Sequence, residues 1–295
     1  MNKHPENIIN VLIDVKSNGY SEYTLNFASK ALSFLAKHAD LNDSEAVKRF
    51  ISEYNANNSY KRNLAIAYNK YVKFHGLSWK MPFYVVAEKR PKMPTSEKID
   101  MITSAACLNL ACKLSISKET GLRPIEVANL KVRDIDLEQH LIYPSTAKNG
   151  SGRVLKISEK TLNMLKALIL KHKLTNSDKL FKGSGSTYGK QFRAARDKLS
   201  EKLQDPTIRQ IRLYGLRHFF ATMLYHKTRD LLLTKQQMGH KKIETTLIYT
   251  QLVNNGEEEY YSATAKTVEE AAKLIEQGFD YICDVDAVKL FRKRQ

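Results

Sequence analysis

The side chains of this sequence that could do chemistry lie in three short motifs, which follow one another in order along the chain. They supply two arginines, a histidine and a tyrosine, namely Arg123, Arg217, His240 and Tyr249. A guanidinium binds two phosphate oxygens at once, an imidazole moves protons, and a phenol can serve as a nucleophile. The set suits phosphoryl transfer, and local context rather than spacing singles it out. The motifs read TGLRPIEV from Thr120, LYGLRH from Leu213 and MGHKKIETTLIYT from Met238.

Through these motifs, roughly residues 95–255 strongly resemble the catalytic domain of the tyrosine recombinase, or phage-type integrase, family. The helical segment before them resembles the family's core-binding domain more weakly. The resemblance implies a site-specific recombinase that cuts and rejoins DNA through a covalent 3′-phosphotyrosyl intermediate, without a metal or any other cofactor. It also implies a C-shaped clamp of two domains around double-stranded DNA, and a tetramer on two DNA sites. The expected role is to integrate or excise a mobile element.

The resemblance also implies a role for each residue of the site. Tyr249 is the expected nucleophile, and Arg123 and Arg217 are expected to hold the scissile phosphate. Lys148 corresponds to the general acid that protonates the departing 5′ oxygen, and His240 to a group that hydrogen-bonds the phosphate or assists proton transfer. These roles match what cleavage of a phosphodiester requires: a nucleophile, fixed positive charge on the phosphate oxygens, and an acid.

One position departs from the family's commonest pattern. Most members have a histidine three residues before the second arginine, and this chain has Tyr214 there. A tyrosine can still donate a hydrogen bond to phosphate, but its ordinary pKa of about 10 makes it a poor proton shuttle at neutral pH. Tyr214 therefore stays a candidate site residue without an acid–base role. The Tyr-x-x-Arg form and the closing residues 289–294 resemble integrases of archaeal plasmids and viruses, which predicts an archaeal mobile-element origin.

Other ionisable residues near the motifs have simpler interpretations. Glu126, one turn after Arg123, is expected to support an arginine or to cap a helix. His218 is expected to support the site structurally. Lys148 is the least secure member of the set, because Lys131 and Lys156 are nearby and a lysine in a turn is usually solvated.

The charge of the chain predicts a nucleic-acid partner. Its 295 residues include 48 Lys plus Arg against 31 Asp plus Glu, a formal net charge of +17. Residues 91–255 carry most of the excess, with 29 basic and 14 acidic side chains, whereas residues 256–295 carry 6 and 9. The phosphate backbone of DNA is the commonest partner for such an excess, so we expect phosphate contacts mainly in the middle segment and binding that weakens with salt.

The sequence predicts a mainly α protein with a small antiparallel sheet, of class α+β, in which a helical domain precedes the catalytic one. Periodic apolar positions indicate a helical core-binding domain over residues 1–84, with the last helix ending at Gly76. Three prolines in the basic stretch from Lys80 to Pro94 indicate a linker, which is predicted at residues 85–95. The helices of the first domain are predicted near Ile8 to Val15, Ser21 to His38, Ser44 to Asn55 and Ser59 to His75.

The catalytic domain is predicted over residues 96–255. Three β-like runs, Lys131–Asp136, His140–Tyr143 and Arg153–Ile157, predict an antiparallel sheet whose last two strands are joined by the turn that carries Lys148. The acidic tail, residues 256–295, is predicted to contain a helix capped at Thr267 and then a short hairpin. The tail could dock onto a neighbouring subunit or cover its own domain, and both alternatives stay open.

Composition argues against several classes of protein. No apolar run approaches the roughly 20 residues of a membrane span, and the polar start is unlike a signal peptide, so we expect a cytoplasmic, nucleoid-associated protein without a membrane partner. Cys107, Cys112 and Cys283 form no Cys-x-x-Cys pair, which argues against a disulfide framework and against a structural zinc site.

Other functions remain open from the residues alone. A chromosome-dimer-resolving recombinase and a non-catalytic DNA-binding relative of the family are the nearest alternatives. A type IB topoisomerase would use the same nucleophile but exchange no partners. A metal-dependent nuclease or transposase would need converging carboxylates, and no acidic motif in the basic segment suits it.

Overall fold

The computed structural model describes residues 4–86, 91–146, 150–250, 260–285 and 288–294. The chain divides into two compact units, residues 1–89 and residues 90–295. Both are rich in helix, and the described strands form small antiparallel sheets, which confirms the predicted fold class. The finer division into linker, catalytic domain and tail stays a prediction.

The first unit is helical, and its helices begin where the sequence supplies caps. The side chains of Ser21, Asp43 and Asn57 accept backbone N–H groups at the starts of the second, third and fourth helices. The fourth helix ends at Gly76, whose φ of +65° suits glycine. Buried Tyr68 donates its hydroxyl to a backbone carbonyl within the core. The helices are α1 (His4–Ser17), α2 (Glu22–Ala36), α3 (Ser44–Glu53) and α4 (Asn58–His75).

The second unit begins with helices that pack around one apolar core. Its α6 and α8 contact each other, and their residues Leu114, Ile116, Leu162 and Leu165 are buried in this core. The helices are α5 (Ser96–Ser104), α6 (Leu108–Thr120), α7 (Pro124–Asn129), α8 (Glu159–His172), α9 (Gly185–Leu203), α10 (Pro206–Arg209), α11 (Leu213–Thr228), α12 (Leu231–Met238) and α13 (Glu244–Leu247).

A three-stranded antiparallel sheet lies between α7 and α8 in the sequence, as predicted, but its strands are shorter. They are β1 (Ile135–Asp136), β2 (Leu141–Ile142) and β3 (Leu155–Lys156), in the order β1-β2-β3. The strand prediction was wrong over residues 132–134, which form a 3-10 turn. The Asp134 carboxylate accepts the Lys131 N–H and closes that turn, a local bond that competes with strand pairing.

Residues 260–285 and 288–294 form a second sheet with one helix. The helix α14 (Val268–Glu276) begins with the predicted capping box of Thr267 and Glu270, and the predicted hairpin follows it. The sequence analysis missed a strand: β4 (Tyr260–Ala265) pairs with β6 (Val288–Arg294), which also pairs with β5 (Asp280–Val285). The pairing of β4 depends on a strand far along the chain, so no turn motif in the sequence next to β4 predicts this strand. No helix in the described parts of the chain is long and apolar enough to cross a membrane.

Candidate active site

Four of the predicted site residues converge in the second unit, and each lies at or near a helix end. Arg123 is the N-cap of α7, and Pro124 follows it at a position that needs no N–H donor. Arg217 lies in the second turn of α11. His240 directly follows the glycine that ends α12, and Tyr249 directly follows α13 and its cap.

Arg217 is buried and is held by neutral acceptors. Its Nη1 donates to the carbonyl oxygen of Gly121 at 2.6 Å, and its Nη2 donates to the carbonyl oxygen of Met238 at 2.6 Å and to Nε2 of His240 at 3.0 Å. The two carbonyls lie at the C-terminal ends of α6 and α12, where unpaired carbonyls carry partial negative charge. They orient the guanidinium without neutralising it, because none of the three acceptors is a carboxylate. These bonds use three of its five N–H groups.

The turn at Gly121 requires glycine for two reasons. Its φ of +61° is strained for other residues. A Cβ on Gly121 would also collide with the ring of Phe220 on α11. This close approach lets the Gly121 carbonyl reach Arg217 on the same helix.

His240 is held as a neutral imidazole in one tautomer. Its Nε2 faces an Arg217 nitrogen, which can only donate, so Nε2 is the acceptor and Nδ1 carries the hydrogen. Nδ1 then donates to Oγ1 of Thr246 at 2.9 Å. Burial, together with the charges of Arg217, Arg123 and Arg153, lowers the pKa of His240 to about 4. His240 is therefore uncharged in this site at neutral pH.

Tyr249 lies inside the site of its own chain. Its side chain packs with Ala221 and Met238, its ring is nearly parallel to that of His240, and only 2% of the residue is exposed. Burial raises the pKa of Tyr249 to about 12, although the charges of Arg217 and Arg123 act in the opposite direction. Its hydroxyl is therefore protonated at neutral pH, and it could act as a nucleophile only after a neighbouring group takes its proton.

His218, which the sequence suggested only as a structural support, lies within hydrogen-bonding distance of that hydroxyl. Its Nδ1 lies 3.2 Å from the Tyr249 hydroxyl. Burial and then the charge of Arg217 lower the pKa of His218, so the ring is neutral at pH 7. Tyr214 is half-exposed, and its ring meets His218 edge-on at a centroid distance of 5.5 Å. A histidine one position after Arg217 was the available signal. A direct phosphate contact by Tyr214 stays a prediction.

The other arginine is paired with a carboxylate. The Glu126 carboxylate accepts the Arg123 N–H at 2.8 Å and the Arg123 Nη1 at 3.0 Å, so it both caps α7 and supports the arginine, as the sequence suggested. The Glu126 side chain is fully buried, whereas 15% of the Arg123 side chain is exposed. Arg123 is thus the more accessible of the two predicted phosphate-binding arginines.

Sequence reasoning missed a third arginine. The Nη2 of Arg153, just before β3, donates to the second oxygen of Glu126 at 2.7 Å, and its side chain is fully buried. The signal was present, since Arg153 shares the alternating face of Leu155 and Ile157 in the predicted strand, and an arginine on a buried face needs a partner. Lys148, the predicted acid, lies outside the described residues, and its role stays a prediction. Within the described ranges, no group of three or more His, Cys, Asp or Glu side chains could hold a metal ion.

Comparisons with known proteins agree on one family. A model described as "Phage integrase family" matches residues 94–255. Tyrosine recombinase XerA of Pyrococcus horikoshii is 32% identical over 231 residues, which cover 72% of this chain and 74% of the relative. Tyrosine recombinase XerA of Saccharolobus solfataricus is 31% identical over 194 residues, which cover 65% of this chain and 63% of the relative, just under two thirds.

Two solved structures share the fold. The Tn1549 transposon integrase in complex with transposon right end DNA has a TM-score of 0.64 at 15% identity, and the match covers 92% of this chain and 98% of that one. A lambda integrase dimer bound to a COC′ core site has a TM-score of 0.64 at 14% identity, with coverage of 86% and 97%. At these identities the likeness concerns the fold.

Proposed function

Because the chain belongs to the phage integrase family of tyrosine recombinases, we propose that it cuts and rejoins double-stranded DNA at specific sites through a 3′-phosphotyrosyl intermediate on Tyr249. The observation that carries the proposal is the convergence of Tyr249, His218, Arg217 and His240 in one buried site of one chain. Arg123 adds a second guanidinium, whose charge acts on both Tyr249 and His240.

In the proposed cleavage step, each proton and each bond change is assigned to a named side chain. The Tyr249 hydroxyl gives its proton to Nδ1 of His218, and the phenolic oxygen attacks the scissile phosphorus. The bond to the 5′ oxygen breaks, and that oxygen takes a proton from the Lys148 ammonium. Arg123 and Arg217 donate to the non-bridging oxygens, where negative charge builds up in the transition state. Rejoining runs the same steps in reverse, with the 5′ hydroxyl as the nucleophile.

The guanidinium groups explain why this reaction needs no metal ion. In a buried site, a fixed positive charge acts on a phosphate much more strongly than it would in water. Arg217 keeps its charge available because its acceptors are neutral. The proposal therefore predicts full cleavage in the presence of EDTA. A metal-dependent nuclease would be inactive under the same conditions.

Tyr249 is proposed to cleave in its own active site. In this single chain its hydroxyl lies 3.2 Å from His218, and its ring packs on Met238, which directly precedes the Gly239–His240 turn. The assembly proposed for the complete reaction is a tetramer on two double-stranded sites. The basic middle segment would make phosphate contacts, so DNA affinity should fall steeply with salt.

The proposed biological role is integration or excision of a mobile element. It is supported by the Tyr-x-x-Arg motif at Tyr214 and by residues 289–294, which resemble integrases of archaeal plasmids and viruses. Resolution of chromosome dimers is the alternative. The location of the recombining sites distinguishes the two roles. Integration joins a site on an element to a site on its host, whereas dimer resolution joins two copies of one chromosomal site.

A suicide-substrate assay tests the chemistry. Wild-type protein and Tyr249→Phe are incubated with nicked duplexes from DNA flanking the coding sequence, in EDTA, and separated on a denaturing gel. We expect a covalent protein–DNA adduct with wild type alone. Shifted bands on a native gel without any adduct would instead support a non-catalytic DNA-binding protein. Tyr249→Phe is a matched control because it removes only the hydroxyl.

A further inference from the structure

We propose that Arg153 is a positioning residue for the reaction, which acts through Glu126 to keep Arg123 available for the scissile phosphate. This inference rests on the proposed function above. It assigns a role to a buried side chain that neither binds DNA directly nor belongs to the predicted catalytic set.

Arg153 and Arg123 share one carboxylate. Nη2 of Arg153 lies 2.7 Å from Oε2 of Glu126, and Nη1 of Arg123 lies 3.0 Å from Oε1. A guanidinium prefers to bind a carboxylate with two parallel hydrogen bonds. Because Oε2 accepts both the backbone N–H of Arg123 and Nη2 of Arg153, the Arg123 guanidinium is bonded through Oε1. The rest of the Arg123 fork is then left for a phosphate.

The pairing of Arg153 is incomplete in a way that stability alone does not explain. Its side chain is fully buried, yet Nε and Nη1 have no hydrogen-bond partner in the structure as described. Burying unsatisfied donors of a charged group costs free energy, and a buried ion pair is often no better than packed apolar side chains. A buried arginine with two nitrogens that donate no hydrogen bond therefore suggests a requirement other than stability.

Arg153 also contacts the turn that carries His240. A Cβ placed on Gly239 would lie 2.7 Å from Nη1 of Arg153 and 3.2 Å from the Ser151 carbonyl oxygen. The guanidinium therefore lies directly against the backbone that precedes His240. One side chain thus touches the support of Arg123 and the support of His240.

The test uses Arg153→Met, which keeps an unbranched apolar stem but removes the guanidinium and its charge, and Arg153→Lys, which keeps the charge but not the fork. Exposed Arg292→Met, in the acidic tail and outside the basic middle segment, is the control. We expect Arg153→Met to slow single-turnover cleavage of the suicide substrate by about 10²-fold, with the Kd for DNA changed less than about threefold, and Arg153→Lys to recover part of the rate. An unchanged rate, or a loss explained by Kd alone, would overturn the proposal.

A second experiment tests whether Arg153 acts through Glu126 or through Lys148, which precedes Arg153 by five residues. In a substrate whose bridging 5′ oxygen is replaced by sulfur, the leaving thiolate needs no acid, since thiols have a pKa of about 8.5. This substrate should restore cleavage by Lys148→Ala but leave Arg153→Met slow. Rescue of Arg153→Met would show that Arg153 acts through Lys148, and would refute the assignment.

A third arm does not depend on cleavage. In a crystal structure of Arg153→Met, both oxygens of Glu126 should bind the Arg123 guanidinium, whereas an unchanged Glu126 would contradict the proposal. If wild type forms no adduct, the proposed function fails, and this structure still decides whether Arg153 positions Glu126. If Arg153→Met does not fold, the double variant Arg153→Met/Glu126→Gln, which removes both buried charges, should fold and cleave slowly.

Discussion

The two predicted phosphate-binding arginines are held in opposite ways. Arg217 is buried, and its acceptors are two helix-terminal carbonyls and a neutral imidazole. Arg123 is partly exposed, and it is paired with the carboxylate of Glu126. Neutral dipoles orient a cation and leave its charge in place, whereas a carboxylate cancels part of it. The Arg217 side of the site is therefore rigid and electropositive, and the Arg123 side is adjustable through Glu126.

The largest effect expected from this comparison is that of Arg217→Lys. A lysine cannot reach Gly121, Met238 and His240 together, so we expect cleavage to fall by about 10³-fold or more and the protein to lose about 3 kcal/mol of stability. Arg123→Lys, in the more exposed position, should cost less in both respects. Single-turnover cleavage and urea unfolding measure the two quantities. Equal losses of stability in the two variants would refute the contrast between a rigid and an adjustable arginine.

The next effect concerns the proton acceptor on the Arg217 side. His218→Asn keeps a polar atom near the Tyr249 hydroxyl but cannot take its proton, so we expect a rate loss of about 10²-fold with little loss of stability. The pKa of His218 is lowered in the folded protein, so wild-type cleavage should decline only in acid, as the neutral acceptor becomes protonated. The pH–rate profile of the variant should lack this decline. A variant with the wild-type profile would exclude His218 as the acceptor.

The third prediction is a loss of stability in acid on the same side. The pKa of His240 is lowered to about 4 in the folded protein, and an unfolded histidine titrates near 6.5. Between these values the unfolded chain binds more protons, so the free energy of unfolding should decrease as pH falls from about 6.5 to 4, by about 2 kcal/mol. His240→Gln should reduce this slope, as seen by urea unfolding at pH 7 and pH 5. A slope unchanged in the variant would contradict a buried neutral His240.

The smallest effect tests the Gly239 turn, which lies against Arg153. In Gly239→Ala, the alanine must adopt a positive φ and its methyl group meets the Arg153 guanidinium. In Gly76→Ala, the alanine must adopt a similar φ of +65°, but nothing lies within 4 Å of the new methyl group. We expect about 1 kcal/mol of lost stability for Gly76→Ala and about twice that for Gly239→Ala, together with slower cleavage. Thermal unfolding of both variants is the measurement. Equal destabilisation would mean that the turn and Arg153 are not in tight contact.

Prediction from sequence succeeded where the deciding interactions are local. The caps at Ser21 and Thr267, the helix end at Gly76 and the pairing of β2 with β3 all depend on residues close together in sequence. It failed where a partner is distant. Strand β4 forms only because β6 returns beside it, and a bond within the 3-10 turn displaced the first part of the predicted strand at Lys131.

The sequence by itself determined the family and the helical fold class, and it predicted Arg123, Arg217, His240 and Tyr249 as site residues, because local motifs carry those signals. The tertiary structure alone decided how these residues are held. It brought His218 to the Tyr249 hydroxyl, placed the Glu126 carboxylate between Arg123 and Arg153, and gave Arg217 neutral acceptors among the described residues. The physical reason is that hydrogen bonds and charges act over a few ångströms in space, between residues that the chain keeps far apart.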